Sequence, residues 1–447
     1  MTTGAHFAAR HRRALIAACC LAGLAAIVVL SDPSRAGAAA TGPDITVIAF
    51  YDVSSFGSAN GFAAYALGTT ACNRGDAPLD WCNQDVGCAP GATSNDHPVI
   101  AQNLYRLKNG RFQQIGMSWL KHGFLSGNFT DAGCTGSVGQ SCQQPPAGGR
   151  QLGVGCTDPY LATQNGGRPL GRRSEVDATT GAFPFPYSSP DGPYQVYDQR
   201  IKVATSDVDP AANAGATYWA EAQYVAPGDA VAGNALNDAS HRQVTIGGAP
   251  TYALTMTGPF YEGLPAIFAW QEQDPSVALV KVDVPGPIVE RYHVARKVTN
   301  LGGGLWHYEY AVHNLNSDRS ARSFSVEFPA STAFSNAGFK GIAHHSGEPY
   351  AADDWQVSSS SNVLTWSTDT FATNPNAHAL RFATMFSFWF DADQPPADTI
   401  VHTLSLFKPG DPPSVEFTVL EPALFSDGFE SGGLDNWSAT AGSRPSG

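Results

Sequence analysis

Charged side chains are scarce in this sequence. Asp, Glu, Lys and Arg make up 15% of the 447 residues, against about 25% in a typical soluble protein. This scarcity argues against a helical bundle or coiled coil, whose helices are rich in Glu, Lys and Arg. The 43% hydrophobic and 11% aromatic content excludes an intrinsically disordered chain. With 46 Gly and 31 Pro, the composition instead favours a turn-rich, aromatic-rich β protein.

Several signatures of common enzymes are also missing. The sequence has no HExxH, no GxSxG, no Walker loop and no GxGxxG that opens a helix. These motifs carry the zinc site, the nucleophile or the phosphate-binding turn of their enzyme classes. Their absence removes HExxH zinc proteases, common α/β-hydrolases and nucleotide-dependent enzymes from the leading candidates.

The first forty residues are typical of a secretory signal peptide. Arg10, Arg12 and Arg13 precede an apolar run at residues 14–30, and three alanines at residues 38–40 offer a cleavage site. An uncleaved membrane anchor is the alternative, because a run of 17 residues is at the lower limit for a membrane span. We expect no transmembrane segment once the signal is removed, and we predict a secreted, extracellular or cell-surface protein.

Removal of the signal makes the chain more acidic. The segment contains four basic residues and one acid, so the formal charge changes from −13 to −16. A protein that binds nucleic acid needs a basic face to neutralise phosphates, so we expect no nucleic-acid partner.

Six cysteines remain after Cys19 and Cys20 leave with the signal. They are Cys72, Cys82, Cys88, Cys134, Cys142 and Cys156. An even number in an exported chain predicts three disulfide bonds, although sequence alone does not fix the pairing. The short-range pairs Cys72–Cys82 and Cys134–Cys142 are one expectation. A zinc site is the alternative, but the sequence has no CxxC pair to support it.

Short alternating runs separated by turn residues recur along the chain. They predict an all-β fold, mostly an antiparallel β-sandwich, with a loop-rich, disulfide-bearing N-terminal half. The Asn109-Gly110 pair predicts a two-residue hairpin turn. We expect a signal peptide at residues 1–40, a Cys-containing loop-rich β domain at 41–264, a β-sandwich domain at 265–424 and an acidic C-terminal tag at 425–447.

The clearest hairpin is predicted at residues 290–314, around a Gly-rich loop. Even positions are mostly Tyr, Trp and Val, and odd positions are mostly Arg, Lys, His and Glu. One face should therefore be buried and the other solvated. The expected register has Asn300 opposite Trp306, which places His293 opposite His313. Such a histidine pair could bind a metal, although a solvated face is the commoner arrangement.

Four segments resemble a group of uncharacterised secreted bacterial proteins. They are QNLYRLKNGRF at residues 102–112, WLKHGF at 119–124, WHYEYAV at 306–312 and HSGEPY at 345–350. The resemblance covers most of the mature chain and implies no particular activity. Separately, DGFESG at residues 427–432 resembles a C-terminal tag of exported bacterial proteins, including hydrolases, which implies export or surface handling.

The Cys-rich half contains the candidate catalytic residues. They are Lys121, His122, Asp158 and Glu175. A histidine beside a lysine, facing carboxylates, could perform acid–base chemistry on a sugar or ester, and Asp158 with Glu175 would be the carboxylate pair of a glycosidase. His122 and the two carboxylates, together with His97, could instead bind a divalent metal. The alternative is that all four are ordinary loop residues.

A second cluster of polar and aromatic residues occupies positions 343–355. Imidazoles suit Zn²⁺ and carboxylates suit Ca²⁺, so the predicted ligands of a divalent metal are His344, His345 and Asp354. Aromatic rings can stack on a sugar, so the predicted ligand-binding residues are Glu348, Tyr350 and Trp355. An Asp-rich connecting loop without function is the alternative.

Two functions are compatible with these observations. The first is a secreted or surface protein that binds a ligand, most naturally a glycan, through exposed aromatic side chains. The second is an extracellular polysaccharide-degrading enzyme, either a hydrolase or a lyase. Binding is preferred because no motif demands catalysis.

Overall fold

Strands dominate the regular structure of the computed structural model, which describes residues 40–82, 87–93, 95–190 and 192–420. Strand accounts for 43% of the structure and helix for 7%. The predicted C-terminal tag and all but the last residue of the predicted signal peptide lie outside the described residues, so both stay predictions. None of the helices among the described residues is long and apolar enough to cross a membrane.

The strands fall into two groups along the chain. The N-terminal group is β1 (Ile45–Ala59), β2 (Phe62–Asn73), β3 (Leu79–Asp80), β4 (Val99–Lys108), β5 (Arg111–Met117), β6 (Lys121–His122), β7 (Gln151–Leu152), β8 (Thr157–Tyr160), β9 (Ile201–Ala204), β10 (Thr217–Val225), β11 (Ala239–Ile246) and β12 (Leu254–Tyr261). The C-terminal group is β13 (Ala278–Val284), β14 (Glu290–Gly302), β15 (Leu305–Asn314), β16 (Ala321–Glu327), β17 (Phe334–Lys340), β18 (Gln356–Ser360), β19 (Val363–Ser367), β20 (Thr384–Ala392), β21 (Val401–Leu406) and β22 (Ser414–Thr418).

The helices are few and one or two turns long. They are α1 (Ala162–Asn165), α2 (Thr205–Val208), α3 (Pro227–Ala232) and α4 (Phe268–Gln273), with 3₁₀ turns at Gly148–Arg150 and Arg173–Glu175.

A ten-stranded antiparallel sheet, here called the large sheet, is built from the N-terminal group. Its order is β1-β2-β9-β5-β4-β10-β11-β12, with β6 paired to β4 and β8 paired to β2. The sheet curls until its two ends meet. Ser240 donates a hydrogen bond to the carbonyl of Val47 at 2.7 Å, and the Leu254 amide donates to Ser55 Oγ at 2.9 Å. The curl encloses a core of apolar side chains from both ends of the sheet.

Two five-stranded antiparallel sheets form a sandwich from the C-terminal group. The middle sheet has the order β13-β14-β15-β20-β17, and the outer sheet has the order β18-β19-β16-β21-β22. Aromatic and aliphatic side chains from both sheets fill the space between them. The predicted all-β, mostly antiparallel fold is therefore confirmed.

The middle sheet also packs against the large sheet on its other face. Tyr105, Phe112 and Trp219 of the large sheet share a buried cluster with Ala311 and Met385 of the middle sheet. The described residues belong to one compact unit. The predicted division near residue 264 falls between the last strand of the large sheet and the first strand of the middle sheet, and it stays a prediction about domains.

Three disulfide bonds are present in the N-terminal half, as the cysteine count predicted. They join Cys72 to Cys134, Cys82 to Cys88 and Cys142 to Cys156. Both pairs expected from sequence proximity were wrong. Cys72 is the penultimate residue of β2 inside the large sheet, and the loop carrying Cys134 folds back onto it from 62 residues away. Sheet topology rather than separation in sequence therefore decides the pairing.

Both predicted hairpins are present. Asn109 and Gly110 have φ values of 52° and 80°, the positive values that a type I′ turn between β4 and β5 requires. In the second hairpin Asn300 lies opposite Trp306 and His293 opposite His313, as the register argument predicted. The odd-numbered face is only partly solvated, however: Thr299 near the loop is exposed, but His293 and His313 are buried where the large sheet covers the face.

Candidate functional site

An open cleft lies where β5 and β9 of the large sheet meet residues 340–345, the segment at and after the end of β17. Its volume is about 220 Å³. Its aromatic and basic lining residues are Phe62, Arg106, Lys202, Lys340, His344 and His345. This cleft combines an aromatic ring, several cations and hydrogen-bonding groups in one concave surface.

A close approach between β5 and β9 positions one wall of the cleft. Gly116 of β5 pairs with Val203 of β9. A Cβ atom at Gly116 would lie 2.5 Å from a methyl carbon of Val203, so a larger residue would push the strands apart. The neighbouring residues Ile115, Met117 and Lys202 line the cleft. A glycine at this position therefore allows the two strands to bring their side chains to one site.

Arg106 is the most firmly held cation of the cleft. Its guanidinium donates to Asp207 Oδ1 at 3.0 Å, to Asn213 Oδ1 at 2.8 Å and to Gln113 Oε1 at 3.1 Å. Asp207 also lines the cleft, and its charge offsets that of Arg106.

Lys202 and Lys340 are the uncompensated cations. The ammonium of Lys202 lies 4.3 Å from the ring centre of Phe62 and 4.8 Å from that of Tyr197. Lys340 is exposed at the end of β17. Among the described residues, neither lysine has a carboxylate within 4 Å. The cleft therefore carries a local positive charge within an acidic protein.

His345 locks the 340–345 segment to the large sheet. Its Nε2 donates to the carbonyls of Met117 and Arg200, at 2.9 Å and 2.8 Å. Burial lowers the pKa of His345 to about 4, so the ring is neutral at pH 7. The predicted metal ligand is therefore a structural donor here, with Nε2 already used.

His344 has unused hydrogen-bonding capacity in the lining of the cleft. Both ring nitrogens are buried without a hydrogen-bond partner among the described residues. Burial, followed by the nearby His378, lowers its pKa well below the usual value. A neutral imidazole carries one donor and one acceptor nitrogen, and in His344 both lie below the surface of the cleft.

The three predicted metal ligands do not form a metal site in the described part of the chain. Asp354 is exposed, and no group of three or more His, Cys, Asp or Glu side chains suited to a metal ion occurs there. A divalent metal cofactor stays a prediction without a site.

The predicted ligand-binding aromatics pack against protein: Trp355 is buried and Tyr350 is half-buried. Trp355 is 3% exposed: its indole stacks on Phe339, packs against Phe388, and donates to the carbonyl of His378 at 2.6 Å. This ring has no free face for a sugar. The guanidinium of Arg381 lies 4.0 Å from the ring centre of Tyr350, and burial raises the pKa of that phenol to about 12.

Glu348 has a structural partner as well. Its carboxylate accepts from the backbone amides of Arg173 and Ser174, at 2.7 Å and 3.2 Å. These are the first amides of the 3₁₀ turn Arg173–Glu175, which lack partners within the turn. Burial raises the pKa of Glu348. The carboxylate therefore fastens the turn to the loop after β17.

Two of the predicted catalytic residues do lie together. Lys121 and Asp158 interact electrostatically, and burial lowers the pKa of Lys121 to about 8 and raises that of Asp158 to about 7. Asp158 Oδ1 accepts from the Gly127 amide at 2.7 Å. The Lys121 ammonium lies 5.2 Å from the ring centre of Tyr160, a residue that the sequence did not single out.

The other two predicted catalytic residues have different partners. His122 Nδ1 lies 2.9 Å from His97 Nε2, and its ring stacks on Tyr187. Burial lowers the pKa of His122 to about 2. Glu175 accepts from the Ser188 amide at 3.0 Å. The four predicted catalytic residues thus lie in three different environments. Lys121 and His122 are separated because successive residues of a strand such as β6 point to opposite faces.

The cleft itself was missed by the sequence argument. Phe62, Arg106 and Lys202 come from three strands separated by many residues, and no motif connects them. A period-two signal was present, because Arg200 and Lys202 alternate with apolar residues at the start of β9.

Comparisons with protein families and with curated proteins find no match. One similar solved structure is the N-terminal domain of the Streptococcus gordonii adhesin Sgo0707, with a TM-score of 0.19 and 9% identity. The alignment covers 81% of this chain and 62% of that chain, so it spans less than two thirds of the adhesin domain. A similarity at this level carries no argument about function.

Proposed function

We propose that this protein is an extracellular or cell-surface protein that binds a carbohydrate in the cleft at β5, β9 and residues 340–345. Three disulfide bonds are compatible with an oxidising, extracellular compartment. The observation that carries the proposal is the lining of the cleft, in which the half-buried ring of Phe62 lies beside several hydrogen-bonding side chains. Sugar rings present an apolar face and polar edges, and such a lining complements both.

The size of the cleft suggests what it can hold. Its 220 Å³ is below the range of about 300–1,000 Å³ found for pockets that hold drug-sized ligands. A single sugar ring, or one residue of a longer chain that continues over the surface, is the appropriate occupant. This supports recognition of one unit of a glycan.

Binding is preferred to catalysis because of where the candidate catalytic residues lie. None of Lys121, His122, Asp158 and Glu175 lines this cleft. The groups that do line it include a fixed arginine, two lysines and two neutral histidines, which hold and orient a ligand.

A glycan array probed with the mature chain tests the proposal. We expect binding to a subset of glycans, and we expect Ala343→Trp to weaken it at least about tenfold. Ala343 is exposed and lines the cleft, so the indole would occupy the ligand's space without entering the core. Ala132→Trp is the matched control, since Ala132 is exposed outside the lining. Absence of binding to any glycan, or equal binding by both variants, would refute the proposal.

A polysaccharide-degrading enzyme is the second candidate. The observation in its favour is the pair Lys121 and Asp158, whose pKa values of about 8 and about 7 suit acid–base catalysis near neutral pH. The mature chain should then release reducing ends from a polysaccharide, and Asp158→Asn should reduce the rate by about 10²-fold or more. Unchanged release by this variant would remove Asp158 from catalysis.

A further inference from the structure

The cleft carries a net positive charge, whereas the whole chain carries a net negative charge. The protein has a formal charge of −13. At the cleft, the three cations Arg106, Lys202 and Lys340 stand against the single carboxylate of Asp207 in the lining, and Arg106 already binds that carboxylate. An acidic protein that concentrates positive charge at one concave surface attracts anions there and repels them elsewhere.

Aromatic rings fix the position of the Lys202 ammonium in the cleft. Two aromatic rings, Phe62 and Tyr197, lie beside its ammonium, and their centres are 5.2 Å apart. Aromatic faces attract a cation but leave its charge uncancelled. The ammonium is therefore positioned beside the apolar ring of Phe62 and remains available for an anionic partner.

The positive surface continues along the chain from Lys202. Arg200 lies two residues earlier, in the bend before β9, and its carbonyl accepts from His345 of the cleft lining at 2.8 Å. Its guanidinium lies 3.5 Å from the ring centre of Phe56, which repeats the arrangement of Lys202 over Phe62. Burial, and then repulsion from Arg168, lowers the pKa of Arg200 to about 10. An anion bound beside these residues would relieve that repulsion.

We infer that the carbohydrate recognised at this cleft is an acidic one, a glycan whose sugar rings carry carboxylate groups. The inference rests on the proposed function and adds the chemical class of the ligand. Lys202 and Lys340 pair with the carboxylates, and Phe62 and Phe56 contact the apolar faces of the rings.

The repeated pairing of a cation with an aromatic ring favours a glycan over an acidic peptide. Each pair, Lys202 with Phe62 and Arg200 with Phe56, offers a charge and an apolar platform side by side. A sugar acid carries a carboxylate on a ring with an apolar face and uses both. An aspartate or glutamate side chain uses only the charge.

The test measures binding of the mature chain to oligogalacturonate, to its carboxyl-reduced neutral form and to poly-glutamate. We expect oligogalacturonate to bind, the neutral form to bind at least about tenfold more weakly, and poly-glutamate to compete poorly. Lys202→Gln and Lys340→Gln should each weaken oligogalacturonate binding about fivefold, the upper value for one exposed ion pair. Lys281→Gln is the matched control, because Lys281 is exposed on β13 and outside the cleft lining.

The outcomes separate the two proposals. Equal binding of the acidic and neutral glycans, with no effect of the lysine variants, overturns the acidic ligand but leaves carbohydrate binding intact. If poly-glutamate competes as strongly as the glycan, recognition of a sugar is refuted and the cleft is only an anion-binding site. If Lys281→Gln weakens binding as much as Lys202→Gln does, the ligand does not bind in this cleft. If the chain binds no glycan of either kind, the proposed function itself fails.

Discussion

The two faces of the middle sheet differ sharply in chemistry although both are buried. The even-numbered residues of β14 and β15 face the outer sheet, and their neighbours there are almost entirely aromatic or aliphatic. Tyr308 stacks on Phe390 at 4.8 Å, and Tyr310 meets Phe324 edge-on at 5.3 Å. This face is held mainly by apolar burial and ring contacts, although Arg296 and His402 are buried there as well and Tyr310 OH lies 3.1 Å from His402 Nε2.

The odd-numbered face meets the large sheet through hydrogen bonds and buried ionisable groups. Ser387 donates to the carbonyl of Phe112 at 2.9 Å, and the Met385 amide donates to Gln114 Oε1 at 2.8 Å. His293 and His313 are buried at this interface. The face toward the outer sheet therefore relies mainly on apolar contact, while the face toward the large sheet adds hydrogen bonds and buried ionisable groups.

The two faces should therefore differ in how strongly substitutions on them lower the stability of the protein. An apolar core tolerates changes that preserve volume, whereas a buried polar group left without its partner costs the full desolvation penalty. Substitutions of matched size on the two faces should therefore have unequal effects on stability.

The largest effect is expected from Glu221 of β10. Its carboxylate accepts from Asn103 Nδ2 and Tyr105 OH, both at 2.8 Å, and from the Ala266 amide at 2.6 Å. Glu221→Ala leaves these donors unsatisfied and should lower the free energy of unfolding by about 3–5 kcal/mol. Urea unfolding at pH 7 measures this. Glu221→Gln, which keeps the volume, should cost about 1–3 kcal/mol; a loss under 1 kcal/mol in the alanine variant would contradict the comparison.

The next effect concerns pH and the histidines of the polar face. Burial lowers the pKa of both His293 and His313 in the folded protein, while an unfolded histidine has a pKa of about 6.5. The unfolded chain therefore binds more protons below pH 6.5, and each histidine removes up to about 1.4 kcal/mol of stability per pH unit as the pH falls.

The double variant His293→Leu/His313→Leu should unfold with a shallower dependence on pH between 6.5 and 5. Urea midpoints across this range measure the slope. Some acid sensitivity will persist, because burial also lowers the pKa of His402 in the sandwich core, to about 3. Identical slopes for the variant and the wild type would show that the polar face does not carry the acid sensitivity.

A smaller effect is expected from the apolar face. Phe388 packs against Phe324 and Trp366, with ring centres 5.0 Å and 5.4 Å apart. Phe388→Leu should cost less than about 1.5 kcal/mol, since the side chain stays apolar and similar in volume. Measured beside Glu221→Gln, it tests the comparison directly. A loss of stability in Phe388→Leu greater than that in Glu221→Gln would show that the apolar face is the more sensitive one.

The smallest effect is expected at the rim of the polar face. His307 Nε2 lies 2.9 Å from Glu309 Oε1, and Arg111 binds the same carboxylate. The bond to Glu309, together with the one to Asp391, raises the pKa of His307. A raised histidine pKa stabilises the fold fully below about pH 6.5, and that stabilisation is lost as the pH rises through the folded value.

His307→Gln should therefore lower stability by at most about 1 kcal/mol at pH 6, because the pair is partly exposed. At pH 9 the variant and wild type should differ less. Thermal unfolding at both pH values measures this, and a larger difference at pH 9 than at pH 6 would contradict the assignment.

Much of the fold could be predicted from local patterns. Alternation located β10, β14 and β15, and the Asn-Gly pair located the first hairpin turn. The strand β2 was missed, since Ala63, Ala64 and Ala66 belong to an apolar run buried on both faces. A strand without alternation gives no period-two signal.

The candidate site was less predictable. Lys121 and Asp158 interact electrostatically, but His122, which was expected to act with Asp158 or Glu175, points to the opposite side of β6. Trp355 was chosen as a ligand platform because it lies near polar residues in sequence, and the fold places it in the sandwich core. The cleft residues Phe62 and Lys202 drew no attention, because contacts between distant strands leave no local signature.

The sequence by itself determined the class of fold, the register of the central hairpin and the number of disulfide bonds, because each follows from local alternation, turn chemistry or the cysteine count. Tertiary structure decided which cysteines pair, which face of the middle sheet the large sheet covers, and where cations gather beside aromatic rings. Those properties depend on which strands become neighbours. That choice rests on the packing of whole sheets against one another, which cannot be predicted from residues that are neighbours in the sequence.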